Sequence, residues 1–224
     1  MSINKQISLT ILLLISSIIF FGISSIDITI QDYLYNQSTN SWILDRDLEP
    51  YKFIFYDGIK KLLILFALSF LIALIFFKNK KIVQEYKKGI VIVIFSAILI
   101  PLTVGGLKKA TNMPCPKNEQ HYGGKMVKTA VWQSYTKPYK DMERIACWPA
   151  GHANAGFALL SLFFLFKTKK TKFIALSSAL VIGWSMGIYK MLIGDHFFSH
   201  NIITMLIAWL LVLIISKIVN KKII

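Results

Sequence analysis

The chain has 224 residues, 55% of them hydrophobic, and carries a formal net charge of +15. A soluble domain does not carry that apolar excess. The lysines fall in short clusters between apolar runs, where membrane anchors belong, which sets nucleic-acid binding aside. The runs lack the apolar–polar alternation of membrane strands, so the expected fold class is an all-α integral membrane protein with about six transmembrane helices, a single membrane domain over residues 1–224.

In chain order, runs long enough to cross a bilayer core of ~30 Å as helices lie at about 7–26, 61–77, 89–107, 147–166, 173–192 and 197–215. The first follows a single lysine, Lys5, and no Ala-x-Ala-like cleavage site follows Ile26, so it is read as a retained helix rather than a signal peptide. Lys78, Lys80, Lys81, Lys87 and Lys88 fill the second connection. Lys167, Lys169, Lys170 and Lys172 fill the fourth, and Lys217, Lys221 and Lys222 the C-terminal tail. The positive-inside rule puts these segments and both termini in the cytoplasm. The first connection carries Asp27, Asp32, Asp45, Asp47, Glu49 and Asp57 and is expected outside. The third, about 108–146, then also lies outside, although it holds Lys108, Lys109, Lys117, Lys125, Lys128, Lys137, Lys140 and Arg144. Basic charge on the translocated side suggests an anionic ligand. Trp132, Trp148, Tyr135 and Tyr139 suit the membrane interface.

The histidines His121, His152, His196 and His200 all fall on that same outer face, which was assigned from lysines in other segments. Pro149-Ala150-Gly151-His152 reads as a helix start, where free amides and the helix dipole favour an anion and a histidine can give a proton to a leaving group. The bland alternative is a turn with an interfacial histidine. Lys190 sits near the outer end of its run, where it either snorkels or enters a polar cavity. His196 and His200 share one helical face, so one can attack while the other orients it. A metal site with Asp195 lacks a completing ligand, and neither metal nor cofactor is expected. Lys108 stands where the third run ends, as an anchor or a ligand to an anion.

In order, these segments resemble the type-2 phosphatidic acid phosphatase family, which shares its core with vanadium haloperoxidases. The family pattern is Lys, six residues, Arg-Pro; Pro-Ser-Gly-His; and Ser-Arg, five residues, His, three residues, Asp. This chain has Lys108, six residues, Cys115-Pro116; Pro149-Ala150-Gly151-His152; and Tyr189-Lys190, five residues, His196, three residues, His200. The spacings match, and Cys115, Ala150, Tyr189, Lys190 and His200 depart in identity. Tyr122-Gly123-Gly124, Cys147-Trp148 and Gly-x-His-Phe-x-Ser-His add likeness to a bacterial subgroup.

The resemblance implies a helical-bundle phosphatase core over about 89–216, metal-independent, acting on a lipid phosphate or diphosphate at the outer face of the inner membrane. It implies His196 as the nucleophile that becomes phosphohistidine, His152 as general acid and His200 in place of the orienting carboxylate. Lys108, Lys190 and the Gly151 amide would bind phosphate, with Lys109, Arg144, Lys125 and the Tyr122-Gly123-Gly124 turn as further candidates. A phosphotransferase using the same intermediate and a non-catalytic lipid-phosphate binding or transport protein stand as alternatives. Cys115 and Cys147 each border a motif, and a disulfide between them would pin two motifs together.

Overall fold

The structure, a computed structural model, describes residues 1–133, 139, 142 and 144–222. Tyr135, Lys137 and Lys140, three residues singled out above, lie outside the described residues. Among the described residues, eight α-helices carry the fold: α1 (Ile3–Ile23), α2 (Ile26–Asp32), α3 (Ile59–Phe76), α4 (Lys81–Thr111), α5 (Ala153–Ala158), α6 (Leu162–Leu165), α7 (Lys169–Leu192) and α8 (Phe198–Lys222). A two-stranded hairpin, β1 (Tyr35–Asn36) and β2 (Ser41–Trp42), decorates the first connection. A π-helical turn, Phe53–Gly58, runs directly into α3.

Among the described residues, five helices are long and apolar enough to cross a membrane: α1, the Phe53–Phe76 helix, α4, α7 and α8. The Phe53–Phe76 helix combines a mean hydropathy of 2.5 with none of its apolar window buried. That pairing requires lipid rather than water around it. Helix α8 is half buried over its window and packs on α1, α4 and α5, making it the centre of the bundle. The core beneath the functional end joins Ile100 and Val104 of α4, Ala153 and Phe157 of α5, Ala179 of α7 and Ile203 and Ala208 of α8. Helices α5 and α7 meet backbone to backbone, since a Cβ on Gly156 would lie 2.6 Å from the Gly183 Cα. Small residues at such crossings let membrane helices approach.

The fourth run departs from expectation. Its helical part covers only Ala153–Leu165, shorter than a full span. Residues 147–152 are committed elsewhere: the Cys147 amide donates to the Met113 carbonyl at 3.0 Å and the Ala150 amide to the His200 carbonyl at 3.3 Å. Backbone so occupied cannot extend the helix. Irregular backbone at membrane depth is tolerated only when protein satisfies it, which these bonds do. Trp148 is correspondingly buried in the core rather than lying at the interface, whereas Trp132 is exposed and covers Gly22.

Candidate functional site

The three motif segments converge because each is tied to the next. Cys115 and Cys147 are joined as a disulfide, their Cα atoms 5.2 Å apart, within the span a bridge accepts. The Thr111 hydroxyl donates to the Trp148 carbonyl at 3.0 Å, and the Thr204 hydroxyl lies 3.2 Å from the Ala150 carbonyl. The Lys117 amide donates to the Gly194 carbonyl at 3.1 Å. Helix α7 ends with the Asp195 and His196 amides donating to the Lys190 carbonyl at 2.8 and 3.2 Å. Gly194 carries a positive φ of 70° and lies so close under Trp42 that a Cβ would sit 2.2 Å from the indole. Only glycine meets both demands.

This turn delivers His196, which is 2% exposed. Its Nδ1 is 3.5 Å from the Nδ1 of His200, one helical turn on, while its Nε2 is buried with no hydrogen-bond partner. Across a ring-centroid gap of 6.2 Å stands His152, whose Nδ1 is likewise buried and unpartnered. Unsatisfied buried nitrogens of this kind are rare and call for a ligand. Burial, together with the charges of His200 and Lys108, lowers the pKa of His196 well below the usual histidine range, so at neutral pH it keeps a lone pair. His200 is also hydrogen-bonded to the Cys147 backbone.

Lys108, on the last turn of α4, lies against Gly151: a Cβ there would come 3.0 Å from its Nζ. Gly151 thus lets the ammonium rest on the backbone that precedes α5. A cavity of about 290 Å³ opens beside it, lined by Lys108, Gly151, His152, Tyr56 and Lys60 among others. Lys190 does not snorkel. It is buried, 3.0 Å from Asp195, with its Nζ 4.0 Å from the Tyr56 ring centroid. Asp195 also pairs with Lys117 at 2.9 Å and with Arg46. Burial pushes its carboxyl up, but Lys190 and Lys117 hold it below the usual range.

Several candidates are placed elsewhere. Arg144 donates to the Lys109 and Ala110 carbonyls at 3.0 and 3.3 Å, covering the C-terminal end of α4 where free carbonyls attract a cation. Lys109 is exposed, and Lys125 lines a surface groove with Gly123 and Gly124. The Tyr122 hydroxyl donates to Asp32 at 3.1 Å, and its ring packs on Tyr35 and Trp42. Gly123 takes a positive φ and Gly124 lies hard against Asn118, so this turn docks the third connection on the first. His121 pairs with Asp32 at 2.7 Å.

The residues not anticipated come from the first connection and the start of α3: Arg46, Tyr56 and Lys60. The Tyr189 hydroxyl donates to the Arg46 carbonyl at 3.1 Å, and the Tyr56 ring lies 4.7 Å from that of His152. The sequence offers Asp195 only as a metal ligand, and its clasp by Lys190, Lys117 and Arg46 has no local signature. Nothing in the spacing of a lone arginine or tyrosine signals such a role.

A helical membrane bundle whose paired imidazoles and lysines converge at one end is suited to phosphoryl chemistry. Residues 89–224 match the family model described as the PAP2 superfamily, and the chain belongs to that superfamily. Membership supports a phosphatase-type activity on a phosphoric ester. No curated protein and no solved structure matches the chain.

Proposed function

We propose that the protein is a membrane lipid phosphatase that works through a phosphohistidine, without a metal, at the outer face of the inner membrane. The observation that carries the proposal is the facing pair of buried, unpartnered ring nitrogens, His196 Nε2 and His152 Nδ1, beside two buried or half-buried lysines. Phosphoryl transfer asks for an in-line nucleophile, an acid opposite it and cations around the equatorial oxygens.

In the proposed reaction His196 Nε2 bonds to phosphorus as the bond to the leaving oxygen breaks. Burial, Lys190 and Lys108 lower the His152 pKa to about 3; the negative charge of the entering phosphate offsets them, so that His152 takes up a proton with the substrate and gives it to that oxygen. Lys108, Lys190 and the Gly151 amide take up charge on the equatorial oxygens. Attack through Nε2 leaves the proton of His196 on Nδ1, directed at His200 Nδ1, and His200 in turn is held by the Cys147 backbone. Water then cleaves the P–N bond, with His152 taking its proton. Asp195 keeps Lys190 near the reacting centre, and the other two cations of its cluster, Lys117 and Arg46, stand for the charge missing at Cys115. Lysine placement supports the outer location, because the catalytic end is opposite the lysine-rich connections.

His196→Ala should abolish phosphate release from a lipid phosphate, by roughly 10³-fold or more, and should remove an acid-labile, base-stable phosphoryl label seen on the wild type. Turnover surviving the substitution would overturn the assignment of His196, and label on another residue would relocate it.

A further inference from the structure

Tyr56 and Lys60 share a face of the Phe53–Phe76 helix, four residues apart. Tyr56 is near the catalytic end, over His152 and Lys190. Lys60 therefore sits one turn, roughly 6 Å, further toward the middle of the bilayer. The opposite walls of the cavity show the same step in depth. Gly105 lies one turn inward of Lys108 on α4, and Met186 one turn inward of Lys190 on α7, and both line the cavity. The cavity thus runs from His152 and Lys108 inward, the direction in which the tail of a lipid held by its phosphate must point.

Charge changes along that path. Lys190 is matched by Asp195. Lys108 and Lys60 have no ion-pair partner among the described residues. Lys108, against Gly151, serves the phosphoryl group being transferred. Lys60 is left without a counter-charge one turn below it, close enough for its charge to act on the His152 ring. Lys60 is exposed at the start of α3 and lines the cavity, so its ammonium is free to meet an anionic group there. At that depth a glycerol phosphomonoester presents neutral ester oxygens, whereas a lipid diphosphate presents its second phosphate.

We propose, resting on the phosphatase reading above, that the substrate is a lipid diphosphate, with Lys60 binding the phosphate that stays on the lipid. His196 Nε2 bonds to the terminal phosphorus while the bridging P–O bond breaks. The leaving group is the lipid monophosphate, its bridging oxygen protonated by His152 and its charge met by Lys60. Water then releases inorganic phosphate from His196.

The test compares farnesyl diphosphate with farnesyl monophosphate, which share a chain and differ by the inner phosphate, using purified protein in detergent. Dioleoyl phosphatidic acid serves as a glycerol-based third substrate. Loss of a charge-assisted hydrogen bond lowers binding roughly 10- to 100-fold. Wild-type kcat/KM should therefore favour the diphosphate by about tenfold or more. Lys60→Met should erase that preference, chiefly by raising KM for the diphosphate, with an unshifted thermal unfolding midpoint in detergent showing that the variant is folded. Lys60→Arg should restore the preference. A wild type that prefers a monoester, or a Lys60→Met variant that lowers all three equally or none, overturns the inference and leaves the phosphatase reading standing. No phosphate release from any of the three overturns both.

Discussion

His200 occupies the position where the family pattern has a carboxylate, and its Nδ1 sits 3.5 Å from His196 Nδ1. In the proposed reaction a neutral imidazole can accept the His196 N–H, but it would stabilise a cation on His196 less than a carboxylate would. His200→Asp should therefore retain or raise turnover. It should also shift the acid limb of the pH–rate profile upward, because a carboxylate raises the pKa of the adjacent imidazole. His200→Ala should slow turnover by tenfold or more, leaving His196 Nδ1 without its partner, on the scale of a lost general-base contact. Complete inactivity of a folded His200→Asp protein, measured by phosphate release across pH 5–9, would reject the orienting role.

At the scale of elements, α8 is held at its start by α2. The Ser199 amide and hydroxyl both donate to Asp27, a capping arrangement in which a carboxylate also meets the positive end of a helix dipole. One residue later α8 presents His200, so the first connection sets the height of the histidine pair. Behind that pair a small cavity is lined by Asp27, Glu119, Lys128 and His200. Burial there pushes the Glu119 carboxyl up to about 7, with Lys128 pulling it down and Asp27 adding to the rise. The unfolded chain releases this proton near 4.5, before the folded one does. The contribution of Glu119 is therefore complete below that pH and is lost as pH rises through about 7, a loss on the order of 3 kcal/mol. Glu119→Gln should match the wild type in thermal stability near pH 4.5 and exceed it at pH 8, as read by thermal unfolding in detergent. Parallel pH profiles for the two proteins would show that Glu119 does not titrate in this window.

At the scale of the whole molecule, the bundle and the positions of its catalytic candidates were legible, because 3.6-residue burial in lipid leaves long apolar runs and the motif spacings survive as sequence. The break in the fourth run was not. It depends on the Cys147 and Ala150 amides bonding to Met113 and His200, partners dozens of residues away. Arg46, Tyr56 and Lys60 were missed for the same reason: residues 1–88 lie outside the family match and reach the site only through tertiary packing. The disulfide joins these scales. It closes a separation of 32 residues, for which loop entropy gives roughly 3–4 kcal/mol, and it anchors Cys147, whose backbone holds His200. If its work were only to limit the unfolded chain, Cys115→Ala/Cys147→Ala would lower thermal stability and leave kcat unchanged at low temperature. Because Cys147 also fixes the histidine pair, the double variant should lose kcat, by about threefold to tenfold, even at temperatures where it is fully folded, with KM little altered. Mass spectrometry of unreduced protein from intact cells should find both sulfurs blocked. Two free thiols in active protein would remove the bridge from the account, and unchanged kcat in the folded double variant would remove the link from Cys147 to His200.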